Sequence, residues 1–177
     1  MQTLNQAKRL ETGDCRLLAT MLDVETINYK RLLRLAWRQN SYMKRQDVDR
    51  LEANAADWSR YLPEADKARV SRERFMTSLG AQLGIPVPPG NMEALLGVAS
   101  DADRQDLAGR IRRLRKVTTE LARQNELNRG LAEFCIDLAR EEAEIFKRCV
   151  LDDPKACYGE NALTTNRGPG GVIVRQA

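Results

Sequence analysis

The sequence predicts an all-α fold: an elongated antiparallel bundle of three long, coiled-coil-like helices, with a short extra helix and a flexible C-terminal tail. Three observations carry this. Apolar residues recur three or four positions apart over most of the chain, the period of one helix face. Charged residues make up 31% of the 177 residues and aromatics only 5%, a balance that suits helices packed through Leu and Ala. The breaks between periodic stretches are sharp, and the clearest is Gly84-Ile-Pro-Val-Pro-Pro-Gly90.

Taken in order, residues 1–13 form an N-terminal arm, either frayed or continuous with the first helix, with Gly13 as the separator. A helical domain follows over residues 14–151. Its first helix carries Leu17, Leu18, Met21, Leu22, Val24, Tyr29, Leu32, Leu33, Leu35 and Ala36, with Thr12 or Asp14 as cap and an end near Arg45. That wide stripe suits a helix with two neighbours.

A second helix starts at Asp47. Its heptad runs Val48, Leu51, Ala55, Trp58, Leu62, Ala65, Arg69, Arg72, Met76, Leu79, Leu83, a coiled-coil spacing. Pro63 lacks an N–H and predicts a kink or a restart. Arg69 and Arg72 put charge into the seam, where they either snorkel outward or meet an acidic partner.

The Pro-rich turn ends this helix near Leu83 and reverses the chain. Asn91 caps a short helix, Met92 to Ala99, unless one helix runs on from Asn91. Ser100 caps the longest helix, with Asp101 and Asp103 at the positive end of its dipole. Its seam reads Leu107, Ile111, Leu114, Val117, Leu121, Leu127, Leu131, Phe134, Leu138, Ile145, Cys149, and Gly130 is the expected bending point. Asn125 and Asn128 fall on or beside this seam, where a polar residue best serves register. After Leu151 the character changes. Residues 152–177 carry scattered Gly and Pro without a core-forming period and read as a flexible, partner-binding tail.

Composition narrows the function. There is no histidine, which removes the commonest general base and metal ligand. No Gly-rich phosphate loop, nucleophile elbow or catalytic constellation is found, so neither a metal nor a cofactor is expected. The net charge of +4 is mild. The cations Arg110, Arg112, Arg113, Arg115 and Lys116 lack interleaved aromatics and read as a solvated face, so no nucleic acid is expected. Of the four cysteines, Cys135 and Cys149 fit core or seam positions, and a reduced, cytoplasmic protein is expected, with a Cys149–Cys157 bridge or metal site as the alternative. Neither a signal peptide nor a segment for membrane insertion is visible.

Three blocks resemble the FlgN family of flagellar type III export chaperones. They are Leu18-x3-Leu22-x2-Glu25-x3-Tyr29-x2-Leu32-Leu33-x-Leu35, then Leu79-Gly80-x2-Leu83-Gly84 closing the second heptad, then Asn125-x2-Asn128-x2-Leu131 with Tyr158-Gly159-x-Asn161 further on. The resemblance covers roughly residues 14–162. The chain departs from the pattern at Pro63 and at Ala162, where family tails often carry Gly.

The resemblance implies a cytoplasmic, non-enzymatic chaperone without cofactor. Its cargo would be the hook–filament junction proteins, kept from premature association and delivered to the export gate at the membrane. The cargo surface is expected at Ile145, Val150, Leu151, Leu163, Val172, Ile173 and Val174, and Tyr158 is expected to dock on the gate. Two other readings stand beside it. One is a generic helical adaptor or structural coiled coil, either monomeric or a homodimer with the seam as interface. The other is a nucleic-acid-binding helix using Arg110 to Lys116.

Overall fold

The computed structural model describes residues 9–88 and 91–151, with the backbone alone for Val150 and Leu151. Among these residues the chain is an all-α bundle of four helices: α1 (Thr12–Lys44), α2 (Val48–Leu83), α3 (Glu93–Val98) and α4 (Asp101–Leu151). Contacts divide it into two units, Met1–Ala132 and Glu133–Ala177. The Gly- and Pro-rich tail lies outside the described residues.

The helix ends follow from local chemistry. Gly13 does not separate an arm from α1; it sits in the first turn of the helix. Glu11 occupies the cap without a side-chain bond, so the cap expected from Thr12 or Asp14 is not made. Leu10, just before it, is buried and donates its N–H to the Val98 carbonyl at 3.0 Å. The arm is thereby tied to the end of α3.

Between α1 and α2 the chain turns in three residues. Gln46 N–H donates to the Met43 carbonyl and Asp47 N–H to the Tyr42 carbonyl. This is the Schellman pairing, and it requires a left-handed residue. Gln46 supplies it with φ 55. The Asp47 carboxylate then accepts from the Arg50 N–H at 3.2 Å and opens α2.

At the far end of α2 the same pairing recurs with Gly84, φ 71, in the left-handed position. Gly80 is buried one turn earlier, and a Cβ there would stand 2.7 Å from Val87 Cγ2 and 2.8 Å from the Ile85 carbonyl. The returning loop therefore lies directly on the helix backbone. Asn91 Oδ1 accepts from the Glu93 N–H and opens α3. Ala99 is extended, with ψ 157, so α3 and α4 are separate helices rather than one. Ser100 Oγ accepts from the Asp103 N–H, the cap expected at the start of α4, and also donates to the Asp103 carboxylate.

In the first unit, α1 and α2 are antiparallel: Glu25 meets Arg72, Asn28 reaches the Glu64 carbonyl, and Leu35 accepts from Asn54. α1 and α4 run parallel: Asp23 meets Arg110, and Asn40 meets Asn128. Two apolar clusters fill this unit. The first joins Leu10, Leu18, Leu22, Met76, Leu79, Leu95, Leu107 and Leu114. The second joins Leu32, Leu33, Leu35, Ala36, Ala65 and Leu121, with Trp58 and Tyr61 against it.

Several sequence expectations are corrected here. α2 runs through Pro63 without a restart; the ring is exposed, so the missing N–H costs one backbone bond at the surface rather than in the core. Val48 and Leu62 of the α2 heptad are exposed, and Asn54 takes a buried position instead. Arg72 neither snorkels nor awaits a partner. It is 6% exposed and bonds Glu25, itself 2% exposed, through Nε at 2.5 Å and Nη2 at 3.2 Å. Arg69 stays at the surface with Asp66 and Glu73.

Candidate functional site

Among the described residues of α4, four of the five buried positions are Leu107, Leu114, Leu121 and Asn128. They are seven residues apart, a strict heptad line. Gln124 is the other buried residue beyond Leu121. The α1–α4 seam thus changes from leucine to amide.

Asn128 sits at the centre of that polar layer. Its Nδ2 donates to the Ala36 carbonyl at 2.8 Å and to Gln39 Oε1 at 3.1 Å. Its Oδ1 accepts from Asn40 Nδ2 and Gln124 Nε2, both at 3.0 Å. All four hydrogen-bonding positions of the amide are used, the condition under which a buried polar network stabilises. Asn125 is exposed, and the structure does not bring it to this layer.

The Leu127, Phe134, Leu138 and Ile145 side chains, expected in the seam, are exposed. The physical reason is a shift of face. A helix turns about 100° per residue, so the line through Leu121 and Asn128 cannot also hold Leu127 and Phe134.

In the second unit α4 therefore presents apolar side chains to solvent. Phe134 is 63% exposed, Ile145 61% and Phe146 66%, with Leu138 and Ile136 also exposed. Phe134, Leu138, Ile145 and Cys149 follow one another at spacings of four, seven and four and share one stripe. Cys149 is exposed and free, and Cys135 is half-buried and free. Neither is the core residue expected.

Of the predicted cargo residues, Ile145 lies on this stripe. Val150 and Leu151 belong to the last turn of α4, where only the backbone is described. Leu163, Val172, Ile173, Val174 and Tyr158 lie outside the described residues, as does Cys157. Sequence reasoning listed Phe134 and Leu138 but assigned them to the seam. It passed over Phe146 and Ile136, and also Gln124. The signal was present in the count: a helix with apolar residues on more than one side has more of them than one neighbour can cover.

Local charge pairs hold α4 as a helix. Arg123 bonds Glu120, Arg129 bonds Glu126 and Arg140 bonds Asp137, each three residues apart. The arginine hydrogen bonds hold the Glu120 and Glu126 carboxyls below the usual carboxylate range.

Chemistry finds little purchase in the first unit. A cavity of about 240 Å³ is lined by Leu22, Glu25, Tyr29, Arg72, Met92 and Ile111, among others. Its one acid, Glu25, is bonded to Arg72, one of three arginines in the lining. Burial first, and Glu25 next, push the Tyr29 phenol upward, away from use as a base. No cluster of three His, Cys, Asp or Glu suited to a metal occurs among the described residues. None of their helices is long and apolar enough to cross a membrane.

The described residues form an all-α bundle with a buried amide layer on α4 and, further along that helix, an exposed apolar face. The particular family is given by comparison. The family described as FlgN protein matches residues 17–166. The chain belongs to the FlgN family of flagellar export chaperones. No curated protein matches the chain. No solved structure matches it either.

Proposed function

We propose that this chain is a cytoplasmic chaperone for the hook–filament junction proteins, which holds their terminal helices apart and delivers them to the type III export gate. Membership of the FlgN family supports binding of flagellar export substrates. The observation that carries the finer reading is the exposed stripe Phe134, Leu138, Ile145.

Clustered apolar side chains left in water along one helix face are the pattern of an interaction surface. A cargo helix laid along it buries both partners in one step. Full burial of Phe134, Leu138 and Ile145 contributes about 1.5–3 kcal/mol each. Ordering and lost translational freedom offset part of that.

In this reading Val150, Leu151, Leu163 and Val172 to Val174 extend the cargo surface, and Tyr158 contacts the gate. The protein acts by binding and not as an enzyme, and it needs no cofactor. Co-expression with a junction protein tests the reading. The chain is expected to co-purify with it in a stoichiometric complex. The chain ending at Leu151 should keep its helical signal while binding cargo more weakly. A Tyr158→Ala chain that exports its cargo at the normal rate would remove the gate role.

A further inference from the structure

The α4 stripe has a charge pattern of its own. Residues 133–149 contain five acids, Glu133, Asp137, Glu141, Glu142 and Glu144, and three bases, Arg140, Lys147 and Arg148. The whole chain is +4, so this local excess of acid runs against the background.

The distribution matters more than the sum. At about 100° per residue, Glu141 and Glu142 border the stripe on its two sides, and Asp137 and Glu144 lie beyond Glu141. Arg148 is the cation at the margin. Arg140 and Lys147 fall on the opposite side of the helix. Arg140 engages Asp137 at 3.3 Å. Glu141, Glu142 and Glu144 are exposed, with no ion-pair partner among the described residues.

Self-pairing is opposed by the same pattern. The stripe's midpoint falls between Glu141 and Glu142, since Phe134 and Cys149, and likewise Leu138 and Ile145, are equidistant from it. Two copies laid antiparallel in this register would bring the glutamates together at the centre. Parallel copies in register would do the same along the edge. Like charges facing each other destabilise such pairings.

We propose that the occupant of this face is an amphipathic α-helix whose apolar stripe is bordered by lysines or arginines. This rests on the reading of the α4 face as the cargo surface and states the chemistry that selects the cargo helix. The acids would steer and align the incoming helix, while the apolar stripe holds it.

Two synthetic helical peptides with the same Leu stripe, one flanked by Lys and one by Glu, test this against the full chain. The Lys-flanked peptide should bind about tenfold more tightly at low salt. The gap should narrow as salt rises. The variant Glu141→Lys/Glu142→Lys/Glu144→Lys, whose changes are all at exposed positions, should reverse the preference. Equal affinities, or a preference for the Glu-flanked peptide, would overturn the proposal. So would a full chain that binds neither peptide while the chain ending at Leu151 binds the Lys-flanked one, which would give the face to the protein's own tail. A free chain that is a dimer, made monomeric by Phe134→Ala/Ile145→Ala, would give it to a second copy and overturn the proposal as well. If Phe134→Ala/Ile145→Ala abolishes junction-protein binding while the charge variants change nothing, the charge rule fails and the cargo face stands. If those alanine changes leave junction-protein binding intact, the cargo-face reading itself fails.

Discussion

Arg72 of α2 holds Glu25 of α1 through two hydrogen bonds, at 2.5 and 3.2 Å, with both side chains buried. The pair fixes how the two antiparallel helices slide along each other, because a shift of one turn would strand a charge on each side. Removing one partner leaves the other buried and uncompensated, at a cost of about 3–5 kcal/mol. Arg72→Ala is therefore expected to lower stability by that amount in urea unfolding. Glu25→Leu/Arg72→Leu should recover most of the loss, since a buried pair is often no better than well-packed apolar residues.

Asn128 of α4 bonds Ala36, Gln39 and Asn40 of α1, and a register role between these helices is the expectation to test. Asn128→Leu leaves the Ala36 carbonyl and the Gln39, Asn40 and Gln124 amides without their partner. A loss of about 1–3 kcal/mol is expected. Asn125→Leu, at an exposed site, should stay within about 0.5 kcal/mol of the parent. A doubly substituted chain that is more stable and still uniquely packed, as read from NMR peak dispersion, would contradict the register role.

The loop after α2 gives a third test. Gly80→Ala forces Val87 and the Ile85 carbonyl away from the helix, and overpacking of this kind costs about 1–3 kcal/mol. Gln46→Gly acts in the opposite direction. It relieves the left-handed strain at φ 55 and should stabilise by up to about 1 kcal/mol. Thermal melts of the two variants should move to opposite sides of the parent.

The Cys15 thiol is pushed up from 9.0 to about 11, by burial first and then by Asp103 and Asp14. In the unfolded chain it ionises near its ordinary value, so the folded state keeps a proton that the unfolded state has lost. Stability is thus fully held below about pH 9 and falls as pH rises toward 11. Cys15→Ala should flatten that fall in a pH series of unfolding midpoints. At neutral pH a maleimide should label Cys149, which is exposed, well before Cys15.

Much of the fold was legible because its punctuation is local. Asp47, the Pro-rich turn, Asn91 and Ser100 mark ends through backbone chemistry that needs no distant partner. Pro63 does not restart the helix because an exposed break in one hydrogen bond is tolerated when the helix continues on either side of it. Arg72 misled because its partner lies 47 positions away, and periodicity carries no information on what faces a charge. The stripe on α4 was visible as apolar spacing, but period alone does not tell a buried face from an uncovered one. That distinction needs the side-chain exposure itself, which places Phe134, Leu138 and Ile145 in solvent.

The most direct measurement of the central claim is the affinity of the full chain for a hook–filament junction protein, with and without Phe134→Ala/Leu138→Ala/Ile145→Ala. All three side chains are exposed, so the fold should survive, as circular dichroism would verify. The account predicts a loss of about a hundredfold or more in calorimetric affinity, from about 1 kcal/mol or more per truncated side chain. An affinity equal to that of the parent would contradict it.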